Sequence, residues 1–251
     1  MDGFLNRLFY FYTMKIKQLK RNLVLGILFF LPVVFLLFLY PSTHNYNPLD
    51  IVKDDVFELD NFTPDGNDSI VLENHLTVLG FFGKVPMKNL IAASNLKELV
   101  YDKFKGFKKF QIVIVLPEGT QSEAKQLRRE ISQYEELKYW HFVFGQAEAI
   151  HRVYNSFNSN NLLDNNLSSD YVFIVDKDLS QRGRIDDRTD GELQKEAPIY
   201  NLNAYNCIEV AEIKNKMSED LRILFTEYRQ KRKGNFDSSS RRDKNLKEEA
   251  N

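Results

Sequence analysis

The chain has 251 residues, 43% of them hydrophobic, with a formal net charge of -1 and a single cysteine. That length and apolar content suit one sizeable globular domain with tails. The near-neutral balance carries no polyanion-binding signature, so no nucleic acid partner is expected, and Cys207 alone excludes an internal disulfide and any CxxC or CxxxC couple.

Residues 1–22 carry Arg7, Lys15, Lys17, Lys20 and Arg21 against one acid, Asp2. They are read as a cytoplasmic N-terminus, whose aromatic stretch at 4–12 is expected to lie along the inner membrane surface as an interfacial helix. Residues 23–40, LVLGILFFLPVVFLLFLY, hold no charge or strong polar group. At about 1.5 Å per residue they reach roughly 27 Å, enough to cross a bilayer core. Pro32 within the run is tolerable in a membrane span. The run is long for a cleaved leader, PSTHNYN after it offers no small-residue cleavage site, and no cysteine follows for a lipid anchor. Between residues 41 and 70 seven acids face one base, Lys53. The charge asymmetry predicts a single-pass protein of the inner (cytoplasmic) membrane, N-terminus inside and main domain periplasmic.

Residues 41–54, polar and with Pro41 and Pro48, read as a linker, and residues 55–233 as the folded domain. Residues 55–59 and 69–72 flank the turn-rich Thr63, Pro64, Asp65, Gly66 and Asn67, which suggests a β-hairpin. A buried strand at 76–82 runs into the turn Gly83, Lys84, Val85, Pro86 and then a helix of about 17 residues from Met87. FQIVIVL at 110–116 reads as a central parallel strand. Thr120 and Glu123 form a capping-box pattern before a helix with Ala124, Leu127, Ile131 and Tyr134 on one face. A strand at 139–144 puts Trp140, Phe142 and Phe144 on one side; a short helix at 147–157 and an asparagine- and serine-rich loop at 158–169 follow. Next come a strand at 171–175, a turn at 176–180 and an antiparallel partner at 181–186. The last helix, 208–233, carries Ile213, Met217, Leu221, Leu224, Phe225 and Tyr228 on one side, with Asn206 and Glu209 as its cap. Residues 234–251 are polar and expected to be disordered.

This order predicts an α/β domain of the thioredoxin-like class, peroxiredoxin/Sco branch: a central mixed sheet flanked by helices, preceded by one transmembrane helix. In thioredoxin-type domains the redox or metal-binding thiols sit at the first strand-to-helix turn, where a helix N-terminus favours the thiolate. Here that turn holds Val85, Pro86, Met87, Lys88 and Asn89. Across residues 22–233 the anchor, the linker, LTVLGFFG, FQIVIVLPEG, YVFIVDKDLSQRGR and the final helix, in this order and spacing, resemble the Sco/SenC family of membrane-anchored copper chaperones and thiol oxidoreductases of cytochrome c oxidase assembly. The family carries CPxxCP after the first core strand and a distal histidine. Aligning Pro86 with the first motif proline puts Val85 and Asn89 at the cysteine positions and the distal histidine near 168–170. All three ligands are absent, and valine and asparagine do not replace soft thiolates on copper. The resemblance therefore implies a divergent member with a degenerate motif at Val85, Pro86 and Asn89, no cofactor, no metal site and no catalytic residue. It also implies a place beside cytochrome oxidase or another respiratory membrane complex.

Other candidates are few. Cys207, in the first turn of the last helix, is a redox candidate whose plainer reading is a small packed side chain. With a histidine it would serve a displaced-ligand metallochaperone or thiol-redox protein, the alternative function. His75, His141 and His151 are scattered, and His75 with Met87 forms a conceivable copper pair because both flank one strand. Arg182, Arg184, Asp186, Asp187 and Arg188 are expected to form a surface ion-pair network and a partner-docking patch, with Asp190 beside it. Arg229, Lys231, Arg232 and Lys233 suit the C-terminal dipole of the last helix. No GxSxG, HExxH, P-loop or Rossmann glycine pattern appears, and no enzyme is expected. Three roles follow: a non-catalytic accessory or assembly protein of a membrane complex, a permanent subunit of one, or the displaced-ligand protein. Freed from any need for access, the vacated turn is expected to be packed, against the domain's own loops or against a partner, with cysteines placed at Val85 and Asn89 both slow to react.

Overall fold

The computed structural model describes residues 20–37, 48–66, 69–132 and 135–233. The chain divides into two compact units, Met1–Tyr46 and Asn47–Asn251. In the first, helix α1 (Lys20–Leu37) is long and apolar enough to cross a membrane. Positions 38–40 of the expected span, the aromatic stretch 4–12, Tyr134 and the tail 234–251 lie outside the described residues.

The second unit is built on one sheet. Its strands are β1 (Asp50–Lys53), β2 (Thr63–Pro64), β3 (Leu76–Phe81), β4 (Phe110–Pro117), β5 (Trp140–Gly145), β6 (Tyr171–Val175), β7 (Gln181–Gly183) and β8 (Tyr205–Asn206). They lie in the order β1-β7-β6-β3-β4-β5-β2, with β8 on β6. β3, β4 and β5 are parallel, and β6 runs antiparallel to both β3 and β7. The core order β7-β6-β3-β4, with β6 as the reversed strand, is the thioredoxin-like arrangement the sequence predicts.

The helices fall where their apolar spacing puts them. A continuous helical stretch runs through a 3₁₀ turn (Pro86–Asn89), α2 (Leu90–Leu96), a π-helical turn (Lys97–Tyr101) and α3 (Asp102–Phe104). It is followed by α4 (Gln121–Ile131), α5 (Ala147–Tyr154) and α6 (Asp190–Gln194). The last stretch combines α7 (Val210–Glu212), a second π turn (Ile213–Met217) and α8 (Ser218–Lys233). Period-2 alternation along β3 and β4 divides the core in two. Val78, Phe82, Ile112 and Ile114 pack with α2, α4 and α8, whereas Leu79, Phe81, Val113 and Val115 pack with α5. Trp140, Phe142 and Phe144 share the first face, as expected.

Four local readings are corrected. Residues 55–59 and 69–72 do not pair as a hairpin. The Glu58 carboxylate instead accepts the backbone N–H groups of Leu59, Leu72 and Glu73 (2.9, 2.7 and 2.9 Å), closing a loop without a ladder. Thr63 and Pro64 pair with Phe144 and Val143 on β5. Within the stretch read as a linker, Asp50–Lys53 joins the sheet, because Leu49 is buried and draws the following residues onto β7. The Thr120 hydroxyl donates to the Pro117 carbonyl (2.8 Å) instead of capping α4. Cys207 precedes the last helix, which starts at Val210 after Glu209. Asn206 Oδ1 accepts the Ile208 N–H (2.9 Å), and the Glu212 side chain accepts the Asn206 N–H (2.6 Å).

Candidate functional site

The strand-to-helix turn after β3 is where a thioredoxin-type domain carries its chemistry. Gly83 sits at φ +66°, and a Cβ there would come within 2.4 Å of the Asn166 carbonyl, so only glycine fits both the backbone and the approach. The close approach brings the 158–169 loop onto the turn. Lys84 N–H donates to the Asn166 carbonyl (2.8 Å), Ser169 N–H to the Phe81 carbonyl (2.9 Å), and Phe82 bridges Ser168. Pro86, with its preset φ and no N–H, opens the 3₁₀ turn.

Asn89, the second position that the resemblance assigns to a cysteine, is 5% exposed. Its amide donates to the buried Phe82 carbonyl (2.8 Å) and to Ser168 Oγ (3.2 Å). The position that the resemblance assigns to the second thiol and the stretch that it assigns to the distal histidine are thus joined by a hydrogen bond between two uncharged side chains. Val85, the first position, is 40% exposed. Within the domain the turn is packed on one side: Pro86 and Asn89 are buried, while Lys84, Val85 and Lys88 face outward. The reason is the geometry of the 3₁₀ turn, in which positions three apart share a side. Pro86 and Asn89 take the inner side, so Val85 is left on the rim.

An open cleft of about 250 Å³ lies beside the turn, lined by Asn161, Leu162, Asp164, Ser168, Asp170 and Tyr171. One of its two carboxylates, Asp164, is committed locally. Asp164 Oδ1 accepts the backbone N–H groups of Asn166 and Ser168 (both 2.8 Å), which fixes the loop that meets Gly83. Among the described residues no group of three or more His, Cys, Asp or Glu could hold a metal ion.

The residues expected to form one surface patch divide among three ion-pair groups, with Arg182 and Asp187 buried and Arg184, Asp186 and Arg188 half-buried. Arg182 is 3% exposed; it donates to Asp176 (2.9 Å), to Glu227 (2.8 Å) and to the Leu49 carbonyl (2.6 Å). Burial works against its charge, yet Glu227 and Asp176 outweigh burial and hold its pKa above the ordinary arginine value. Arg184 grips Asp220 through Nε and Nη2 (3.0 and 2.7 Å) and reaches Asp187 (3.1 Å), which Lys216 also pairs. Arg188 and Asp186 form a separate pair at 2.7 Å. The first two arginines therefore pin α8 to the β7 hairpin. The cause lies on α8, where Asp220 and Glu227, seven residues apart, share the face of Leu221 and Leu224 and must be met by buried cations. Two acids on an apolar stripe were the available sequence signal for this network.

Cys207 is fully buried, and its thiol donates to the Asp170 carbonyl (2.7 Å). Burial, with Asp170 nearby, pushes its pKa up to about 12, the opposite of an activated thiolate. His75 and Met87 lie beyond opposite ends of the six-residue β3, about 20 Å apart at 3.3 Å per residue. They cannot share a metal. His75 Nδ1 lies 3.0 Å from the Glu73 carbonyl.

No family model matches the chain, and no curated protein matches it in sequence. Among solved structures it is similar to BsSco, described as a member of the Sco family of cytochrome c oxidase assembly proteins, at 14% identity over 71% of this chain and 98% of that one (TM-score 0.46). It is also similar to a SCO1/SenC family lipoprotein from Bacillus anthracis, at 13% identity over 70% and 97% (TM-score 0.46). Copper-bound yeast Sco1 is another, at 8% identity over 68% and 92% (TM-score 0.40). The domain is thioredoxin-like in fold. No residue's role is taken from these likenesses; the strand order and the direction of β6 carry the fold assignment.

Proposed function

We propose that the Sco-like domain is a non-catalytic accessory or assembly component of a membrane complex, of the respiratory, cytochrome oxidase type. It is held by its N-terminal helix at the inner membrane, with the domain on the periplasmic face. One observation carries the reading: the position matching the second family cysteine is a buried Asn89 that ties the turn to Ser168, where the resemblance places the distal histidine. A turn locked by neutral hydrogen bonds offers copper no soft ligand and a disulfide partner no thiol. With Cys207 buried and its pKa raised, the displaced-ligand alternative has no available thiolate. What the domain retains is a rigid Sco-like surface.

The test is isolation of the full chain from native membranes in mild detergent, with cross-linking, mass identification of partners and Cu(I) titration. Subunits of a respiratory complex in the cross-linked set, without stoichiometric copper, are expected. A monodisperse protein without membrane partners under several conditions would sink the reading. Stoichiometric Cu(I) lost on Cys207→Ser would replace it with the metallochaperone.

A further inference from the structure

Between β7 and β8 the chain makes an excursion, residues 184–202, that is fastened by hydrogen bonds yet mostly exposed. Arg184 and Leu202 bridge its base. Above them Asp187 N–H donates to the Tyr200 carbonyl (2.9 Å), and the Arg188 guanidinium donates to the Ala197 carbonyl (2.8 Å). At the tip α6 is fastened by Glu192, which accepts from the Thr189 N–H (2.8 Å) and the Tyr200 hydroxyl (3.0 Å). Ile185, Leu193, Ile199 and Tyr200 nevertheless stand 48%, 43%, 67% and 42% exposed. Fixing a loop costs conformational entropy, and apolar side chains held out in water return none of it. Such a group gains only when something apolar covers it.

Asp50, the first residue of β1, accepts the Ile185 N–H through its side chain (3.1 Å), so the excursion stands beside the point where the folded domain begins. Only residues 38–49 separate that point from α1, a span of at most about 43 Å. We infer that the 184–202 excursion is a foot that seats Ile185, Leu193, Ile199 and Tyr200 in the interfacial zone of the bilayer that α1 crosses, an inference that rests on the membrane-anchor reading. Aliphatic side chains with a tyrosine whose hydroxyl is already paired suit the boundary between headgroups and acyl chains. The charges of the foot fit a zwitterionic lipid surface better than an anionic one. Asp186 is paired with Arg188, and Asp187 with Arg184 and Lys216. Asp190, Glu192 and Glu196 then stand against Lys195, so apolar burial and not Coulomb attraction drives the contact.

The test uses the full chain in nanodiscs of phosphatidylcholine containing nitroxide-labelled lipid. An environment-sensitive fluorophore is placed at Ile199→Cys, or at Arg129→Cys on α4 near the opposite edge of the sheet; buried Cys207 stays unlabelled in the folded protein. The expected result is a blue-shifted emission at position 199 with lipid quenching several-fold stronger than at 129. Both should be insensitive to 0.5 M salt and reduced by a companion Leu193→Ser substitution. Equal, weak quenching at both positions in chains that co-elute with nanodiscs would overturn the foot and leave the anchor standing. Failure to co-elute would overturn the anchor and the foot with it. Quenching that appears only with anionic lipid and vanishes in salt would replace the apolar seat with a charge contact. Shielding of position 199 in native membranes but not in nanodiscs would assign the loop to a protein partner.

Discussion

Replacing Asn89 by alanine removes two donated hydrogen bonds whose acceptors lose unequal amounts. Ser168 is half-buried, and its hydroxyl turns to water when the amide goes. The Phe82 carbonyl belongs to a fully buried residue, has no such exit, and loses its donor inside the core. Leaving a buried acceptor unpaired costs about 1–3 kcal/mol, and forfeiting an ordinary half-exposed bond costs roughly 0.5 kcal/mol. Asn89→Ala should therefore destabilise the domain by about 2 kcal/mol, and Ser168→Ala by no more than about 0.5 kcal/mol. Asn89→Asp should be the worst of the three, because it loses the donor and sets a carboxylate against the Phe82 carbonyl. Urea unfolding of the full chain in detergent reads this directly through Trp140, the only tryptophan and fully buried, as a shift of midpoint at constant slope. If Asn89→Ala were no worse than Ser168→Ala, or Asn89→Asp matched the wild type, the Phe82 bond would not be what closes the turn.

Three further outcomes are expected. Val85→Cys should react quickly with a bulky alkylating reagent in the native protein, whereas Asn89→Cys and the native Cys207 should react only once urea opens the fold; equal rates at 85 and 89 would refute the inner and outer division of the 3₁₀ turn. Arg182→Met, which leaves Asp176 and Glu227 facing each other across a buried gap, should cost about 3–5 kcal/mol; a loss under about 1 kcal/mol in the same urea assay would show that water reaches the network. Desolvation lowers the pKa of His75 below its ordinary 6.5, so the unfolded chain binds that proton more readily than the folded one. Stability from this group is present above about pH 6.5 and lost as pH falls through the folded value, with a slope of at most about 1.4 kcal/mol per pH unit, and His75→Gln should flatten it.

The elements with a clear period were legible. FQIVIVL could only be a strand covered on both faces, and Ala124, Leu127 and Ile131 mark the buried side of α4. What failed depended on side chains reaching across the fold. The residues around 55–72 have the composition of a hairpin, yet one carboxylate, Glu58, meets the backbone donors a ladder would have used. Thr120 and Glu123 have the spacing of a capping box, but a nearer carbonyl at Pro117 takes the hydroxyl. At the candidate site the absence of thiols was visible from sequence. The Asn89 to Ser168 bond was not, because 79 residues separate its partners. The arginines were visible as a cluster, and their burial was not, since Asp176, Asp220 and Glu227 come from two other segments.

Leu49 and Arg182 also decide how the domain responds to tension. Any pull transmitted from the N-terminal side arrives at Leu49 before it reaches the sheet. There the buried side chain and the 2.6 Å bond from Arg182 to its carbonyl form the first point of resistance. Arg182 passes the load to Asp176 at the β6 turn and to Glu227 on α8, so it is divided between a hairpin and a helix. β1 is only four residues long and would unzip one pair at a time if it bore the strain alone. Clamped ahead of its first residue, it is spared that sequence of failures, and the thioredoxin-like domain yields as a block or not at all.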